Sequence, residues 1–209
     1  METESIIFLT FAICLMTGAF SFGFWFNWNQ THKTYLQFQK VAQKFGLKLT
    51  VKKKSGGLPK VSTLTGQYKG YPVVMSFYKV GFERSTKIYT YLEFQVENLS
   101  QKNFMIARED LVGKLTKTFG ATDMEIGDPE FDKVFIIKTN DTAYISIILT
   151  EKIKKDMRYA ATGTRECSFS LDGKCLRFMI MDFMIKDKVR ILFERMLVTL
   201  HDVAEEMRN

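Results

Sequence analysis

From Ile6 to Trp28 the chain runs 23 residues without a charge, most of them Phe, Ile, Leu, Ala and Gly. At about 1.5 Å per residue, a helix of that length exceeds the roughly 30 Å of hydrocarbon in a bilayer. Residues 6–28 therefore predict a transmembrane helix behind a short tail, residues 1–5. A cleaved leader would begin basic and exit through small residues, whereas this start carries Glu2 and Glu4 and the exit reads Phe24-Trp25-Phe26-Asn27-Trp28. Trp25 and Trp28 suit headgroup level, where amphipathic rings collect. Cys14, Gly18, Ala19 and Gly23 put small residues four apart, a spacing that permits a second helix to approach closely.

The period then changes. Residues 29–46 predict a juxtamembrane amphipathic helix closed by Gly46, with Tyr35, Phe38, Val41, Ala42 and Phe45 on one face. Lys33, Lys40 and Lys44 gather on the opposite face, placed to meet anionic lipid headgroups. Residues 47–209 predict one soluble domain. Alternation marks strands at 61–68, 72–80 and 87–97; in the last, Ile88, Thr90, Leu92, Phe94 and Val96 take one face, and Tyr89, Tyr91 and Glu93 the other. Lys69-Gly70 signals a hairpin and Gly81 the next reversal. A helix is expected over 108–119, a buried strand over 131–138 and one or two helices over 141–158. A hairpin around Asp172-Gly173 follows over 165–183, and a closing helix over 186–207 carries Val189, Leu192, Phe193, Met196, Leu200, Val203 and Met207 at spacings of three and four. This order fits an α+β class: an N-terminal transmembrane helix, then an antiparallel sheet with helices on one face, with a hint of two similar halves.

Charge adds an orientation. No Asp or Glu occurs from Ser5 to Phe82, while ten lysines fall there, from Lys33 to Lys79. Basic flanks stay on the cytoplasmic side, so the domain is expected in the cytoplasm. The pI near 9.2 raises nucleic acid, but the lysines crowd the membrane end and Tyr89 and Tyr91 form no RNA-binding motif, so no nucleic-acid partner is expected.

Catalytic chemistry finds little material. Of three cysteines, Cys14 lies in the span, and a two-residue turn centred on Asp172-Gly173 would set Ser170 against Cys175 and Cys167 against Phe178, with the thiols on opposite faces. The two histidines, His32 and His201, lie far apart in sequence, and His201 with Asp202 and Glu205 reads as an exposed helix face. Ser55-Gly56-Gly57 lacks the order of a phosphate loop. Asp123, Glu125, Asp128, Glu130 and Asp132 form the densest acidic stretch, which could hold a divalent cation or an acid–base pair. Gly127-Asp128-Pro129 is turn chemistry, however, with Glu130 and Asp132 then alternating outward from a strand. No catalytic, cofactor or metal residue is expected.

Two motifs, Gly66-Gln67-Tyr68-Lys69-Gly70-Tyr71-Pro72-Val73 and Gly127-Asp128-Pro129-Glu130-Phe131-Asp132-Lys133-Val134-Phe135, resemble a group of uncharacterised bacterial single-span membrane proteins. The resemblance implies a bacterial inner-membrane setting and brings no activity with it. The expectation is a membrane-tethered, non-enzymatic interaction module, an accessory or assembly subunit of an inner-membrane complex. Its membrane interface would be Trp25, Trp28, Lys33, Lys40 and Lys44, and its partner-contacting residues Tyr89, Tyr91, Glu93, Asp128, Glu130 and Asp132. The rival readings are a metal-dependent hydrolase using Asp128, Glu130 and Asp132, and a lipid-sensing domain with a cavity lined by Phe and Met.

Overall fold

The computed structural model describes residues 2–52, 61–80, 87–108, 123–164 and 166–208. It opens with one helix, α1 (Glu2–Phe45), where a span ending at Trp28 and a separate helix from residue 29 were expected. Nothing at the join breaks the helix. Asn29-Gln30-Thr31-His32 contains neither Gly nor Pro, and the Thr34 hydroxyl donates back to the Gln30 carbonyl at 2.9 Å, a bond that a helix accommodates. The helix ends where the sequence puts Gly46, at φ +66°, with the Leu47 N–H donating to the Ala42 carbonyl at 2.9 Å, a Schellman closure.

Nine strands follow among the described residues: β1 (Lys48–Lys52), β2 (Val61–Tyr68), β3 (Tyr71–Val80), β4 (Lys87–Gln95), β5 (Phe104–Ala107), β6 (Asp123–Met124), β7 (Ile136–Thr139), β8 (Cys167–Asp172) and β9 (Cys175–Ile180). They form one sheet in the order β1-β2-β3-β4-β9-β8-β5-β7-β6, and every ladder is antiparallel. The two halves meet at the β4–β9 seam: the first is a simple meander, whereas β7 lies between β5 and β6 in the second. The other helices among the described residues are α2 (Pro129–Asp132), α3 (Thr142–Ile148), α4 (Glu151–Gly163) and α5 (Asp187–Glu206). The expected helix over 108–119, Ser55-Gly56-Gly57 and the reversal at Gly81 lie outside the described residues, apart from Arg108.

The class is α+β, with the described helices packed on one face of the sheet. Phe38 and Val41 of α1, Ile145 of α3, Met157 of α4 and Phe193 and Met196 of α5 share one buried cluster with Leu64, Met75, Leu92, Phe94, Ile106, Phe169 and Phe178 of the strands. Phe169, Phe178 and Phe193 form a stack through this layer, with centroids 4.8 and 5.3 Å apart.

Two expected elements differ. Phe131 lies in a helical turn, not in a strand that begins there: Asp128 caps α2 by accepting from the Phe131 N–H, Pro129 takes the first turn, and Glu130 and Asp132 favour the positive end of the helix dipole. Phe131 and Phe135, four apart, then pack ring to ring at 4.8 Å. The second hairpin turns at Gly173-Lys174, one residue later than expected, because Asp172 pairs with Cys175 and Gly173 adopts φ +56° at the first central position. Ser170 therefore faces Arg177 and Cys167 faces Ile180. The shift moves the partners by two, so side-chain parity survives: Cys167 joins the helix-side core and Cys175 projects from the other face.

Contacts along α1 order the domain relative to its first helix. Phe38 meets Phe77 of β3 at 6.4 Å and Lys40 meets Asp187 at the start of α5, while Phe45, further along, meets Tyr68 at 5.6 Å. Tyr68 in turn packs on His201 near the end of α5. Around α1, then, the ends carrying Val80, Lys87, Asp182 and Lys186 lie toward the apolar start of the helix, and those carrying Tyr68, Tyr71 and Glu205 lie away from it.

Candidate interaction surfaces

The longest uncovered apolar surface belongs to α1. From Phe11 to Trp28 its large side chains are open: Phe20 is 80% exposed, Met16 74%, Trp28 66% and Trp25 58%. Burial begins only at Thr34 and deepens at Phe38, which is fully covered. One helix in the described chain is thus long and apolar enough to cross a membrane, and none of its apolar window is buried against the domain. It is a candidate membrane span. An apolar helix surface this continuous, left in water, would carry a large hydrophobic cost.

The lysines that follow differ in their partners. Lys40 reaches Asp187 at 3.4 Å and Lys44 reaches the buried carboxylate of Glu194 at 2.6 Å. These two flank the seam between α1 and α5, whereas Lys33 is exposed and has no ion-pair partner among the described residues. The expected opposition of apolar and basic faces gave the lysines to the lipid side. In the fold α5 packs beside α1 and gives two of the three an acidic partner, with both lysines still more than half exposed.

On the face of the sheet away from the helices, Tyr91 and Glu93 project as the alternation demands, but Tyr89, expected to be open to a partner, is buried with 6% exposure. Its ring stacks on Tyr78 at 5.6 Å, and its hydroxyl donates to Glu166 at 3.0 Å. Glu166 is itself buried and also takes Lys87 at 2.9 Å. Tyr78 donates to the Met179 sulfur at 2.8 Å, and its own pKa is raised by burial. Glu93 accepts from two nitrogens of Arg177, at 2.8 and 2.9 Å, and the guanidinium lies over the Tyr91 ring at 5.8 Å. Burial also pushes the Cys175 thiol up. This is a largely self-satisfied network with an exposed tyrosine edge. Tyr78, Glu166 and Arg177 were missing from the sequence reading. Tyr78 could be reached only by fixing the register of β3 on β4 across the 81–86 connection, and Arg177 only by knowing that β4 pairs with β9.

The acidic stretch divides into roles. Asp128 caps α2, receives Lys154 at 2.9 Å and Arg158 at 3.3 Å, and is held below the usual carboxylate range, chiefly by the Lys154 hydrogen bond. Asp132 accepts from the N–H groups of Ile126 and Gly127 at 3.1 and 3.0 Å, closing the turn before the helix. Glu130 points to solvent. Asp128 and Asp132 spend their lone pairs on cations and backbone donors of their own chain, and among the described residues no group of three or more His, Cys, Asp or Glu is placed to hold a metal.

At the far end, His201 is wedged between Tyr68 and Tyr71 at 5.7 and 5.8 Å, not laid on an exposed face. Tyr71 donates to Glu205 at 2.7 Å, and burial, reinforced by that carboxylate, raises its pKa to about 12. Burial also lifts the Cys167 thiol to about 11, so it is an inert core group. Clefts among the described residues include one of about 310 Å³ between α1 and β1, lined by Tyr35, Leu47, Leu49 and Val51, and one of about 240 Å³ between α4 and α5, lined by Tyr159, Thr162, Thr164 and Lys188.

No family model matches the chain, and no curated protein matches it. Its fold is similar to the crystal structure of the mycobacterial trehalose monomycolate transport factor A, TtfA, with a TM-score of 0.51, 8% sequence identity, and 86% of this chain and 94% of that one covered. At that identity the likeness is one of fold.

Proposed function

We propose that this chain is a single-pass protein of a bacterial inner membrane, with its α+β domain in the cytoplasm, acting without catalysis as an accessory subunit of a membrane transport assembly. The observation that carries the reading is the uncovered apolar surface of α1 between Phe11 and Trp28, which a bilayer would bury and the domain does not. Fold likeness to a transport factor supports the accessory part, and the carboxylates of Asp128, paired with Lys154, and Asp132, bonded to backbone N–H groups, favour a binding role over a hydrolytic one. The lysine excess after the span supports the cytoplasmic side. The exposed ring edges of Tyr78 and Tyr91, beside Arg177, are the surface best composed for a protein partner, since Tyr and Arg dominate interface energetics.

Fractionation tests the tether: the full chain should stay with membranes through an alkaline carbonate wash. Trypsin added outside intact spheroplasts should spare the domain, and trypsin added to inverted vesicles should digest it. Affinity purification of the full chain in mild detergent should return a polytopic membrane protein in fixed ratio, and Tyr91→Ala with Arg177→Ala should weaken that capture. Purification of the chain alone from every membrane preparation would sink the accessory role.

A further inference from the structure

The domain does not hang from a flexible linker. Because α1 continues unbroken into the buried layer, the first covered residue, Thr34, lies only six residues beyond Trp28, about 9 Å along the axis. With Trp28 at headgroup level, the near ends of β3, β4 and α5 come within about one Debye length of the lipid surface at moderate salt.

Among the described residues, the unpaired charge at these ends is mainly basic. Lys33, Lys79, Lys186 and Lys188 are exposed, and none has an ion-pair partner among the described residues. The acids beside them are engaged: Asp187 by Lys40 and Arg190, Glu166 by Lys87, and Asp182 by the Phe183 N–H at 2.6 Å. Val80 and Ile191, 48% and 47% exposed, place apolar side chains among the lysines. At the far end, by contrast, Lys69 and Arg208 alternate with Glu205 and Asp202. The exposed acids of the 125–130 turn belong to the β6–β7 edge. β7 is five strands from β3, and at about 4.8 Å per strand that edge stands about 24 Å across the sheet.

We propose that this rim is a second membrane contact: Lys33, Lys79, Lys186 and Lys188 seat the domain on anionic lipid headgroups, with Val80 and Ile191 at the interface. The proposal rests on residues up to Trp28 spanning the bilayer. Lys188 also lines the cleft between α4 and α5, giving a headgroup phosphate a cation at its mouth. A lysine close to an anionic leaflet contributes a factor of about five in occupancy at moderate salt, so a few acting together hold the domain down most of the time.

Hydrogen exchange on the full chain in nanodiscs tests it, with phosphatidylcholine discs compared against discs containing phosphatidylglycerol. Peptides covering 186–192 and 76–80 should exchange about fivefold more slowly, or slower still, in the anionic discs, while peptides covering 68–71 and 203–208 stay unchanged. The protection should vanish in high salt and in the Lys79→Glu, Lys186→Glu, Lys188→Glu variant, whose far-end peptides report that it is folded. Equal exchange of the rim in both discs, in a chain that has entered them, overturns the rim contact and leaves the span standing. A chain that enters neither disc overturns both.

Discussion

At the scale of single residues, Asp128 is the carboxylate whose environment decides its meaning. It caps α2 and receives Lys154 and Arg158, so its folded pKa lies below the value near 4 of an unfolded chain. A depressed carboxylate stabilises the fold fully above the unfolded value, and that contribution is lost as the pH falls through the lower, folded one. Asp128→Asn keeps a capping oxygen but removes the charge. It should lower the urea midpoint at pH 7, and the difference from wild type should shrink as the pH drops from about 5 toward 2. Equal loss at both ends of that range would mean that the charge is irrelevant. The turn-forming residues Gly127-Asp128-Pro129 were legible in sequence. The outcome was not, because a capped helical turn and a turn into a strand begin with the same residues, and Lys154 arrives from 26 positions away.

At the scale of elements, local patterns spoke clearly where the chain folds on its neighbours. The β2–β3 hairpin was legible because Lys69 and Gly70 both take positive φ, 48° and 91°, as a two-residue turn of this hand requires. The closing helix was legible because its apolar stripe faces a sheet. Pairings between distant elements were not: α5 beside α1 gives Lys40 and Lys44 acidic partners, and Tyr78 over Tyr89 buries a residue that alternation alone left open. Gly66 carries one such non-local constraint. A Cβ there would stand 2.9 Å from the Leu47 Cδ2 and 3.5 Å from its Cα, so the chain leaving α1 lies directly on β2. Gly66→Ala should cost about 1 kcal/mol, the low end for overpacking. Because the nearest atom is a side-chain tip, the double variant with Leu47→Ala should cost less than the two single changes together, measured by urea unfolding. Simple additivity would show that the two sites do not press on each other.

At the scale of the whole molecule, the continuity of α1 joins a domain to a membrane at a fixed distance, and the chain carries its own probe of that distance. Trp25 and Trp28 are its only tryptophans, both exposed on α1 and separated by three residues, about 4.5 Å along the axis. Intrinsic tryptophan fluorescence of the full chain therefore reports the membrane boundary with no contribution from the domain. If the span runs from Ile6 to Trp28, both rings sit among headgroups and upper acyl carbons. Emission in reconstituted vesicles should then be blue-shifted from that of water-exposed indole. Lipids brominated high on the acyl chain should quench it strongly, and lipids brominated near the bilayer centre weakly. Trp28→Phe should leave the signal of the deeper ring, Trp25, with more quenching from the mid-chain bromines than the wild type. If the rings instead answered equally to both bromine depths, or only to a water-soluble quencher, the span would have to be shifted along α1 or abandoned, and the 9 Å separation that brings the lysine rim to the lipid surface would go with it.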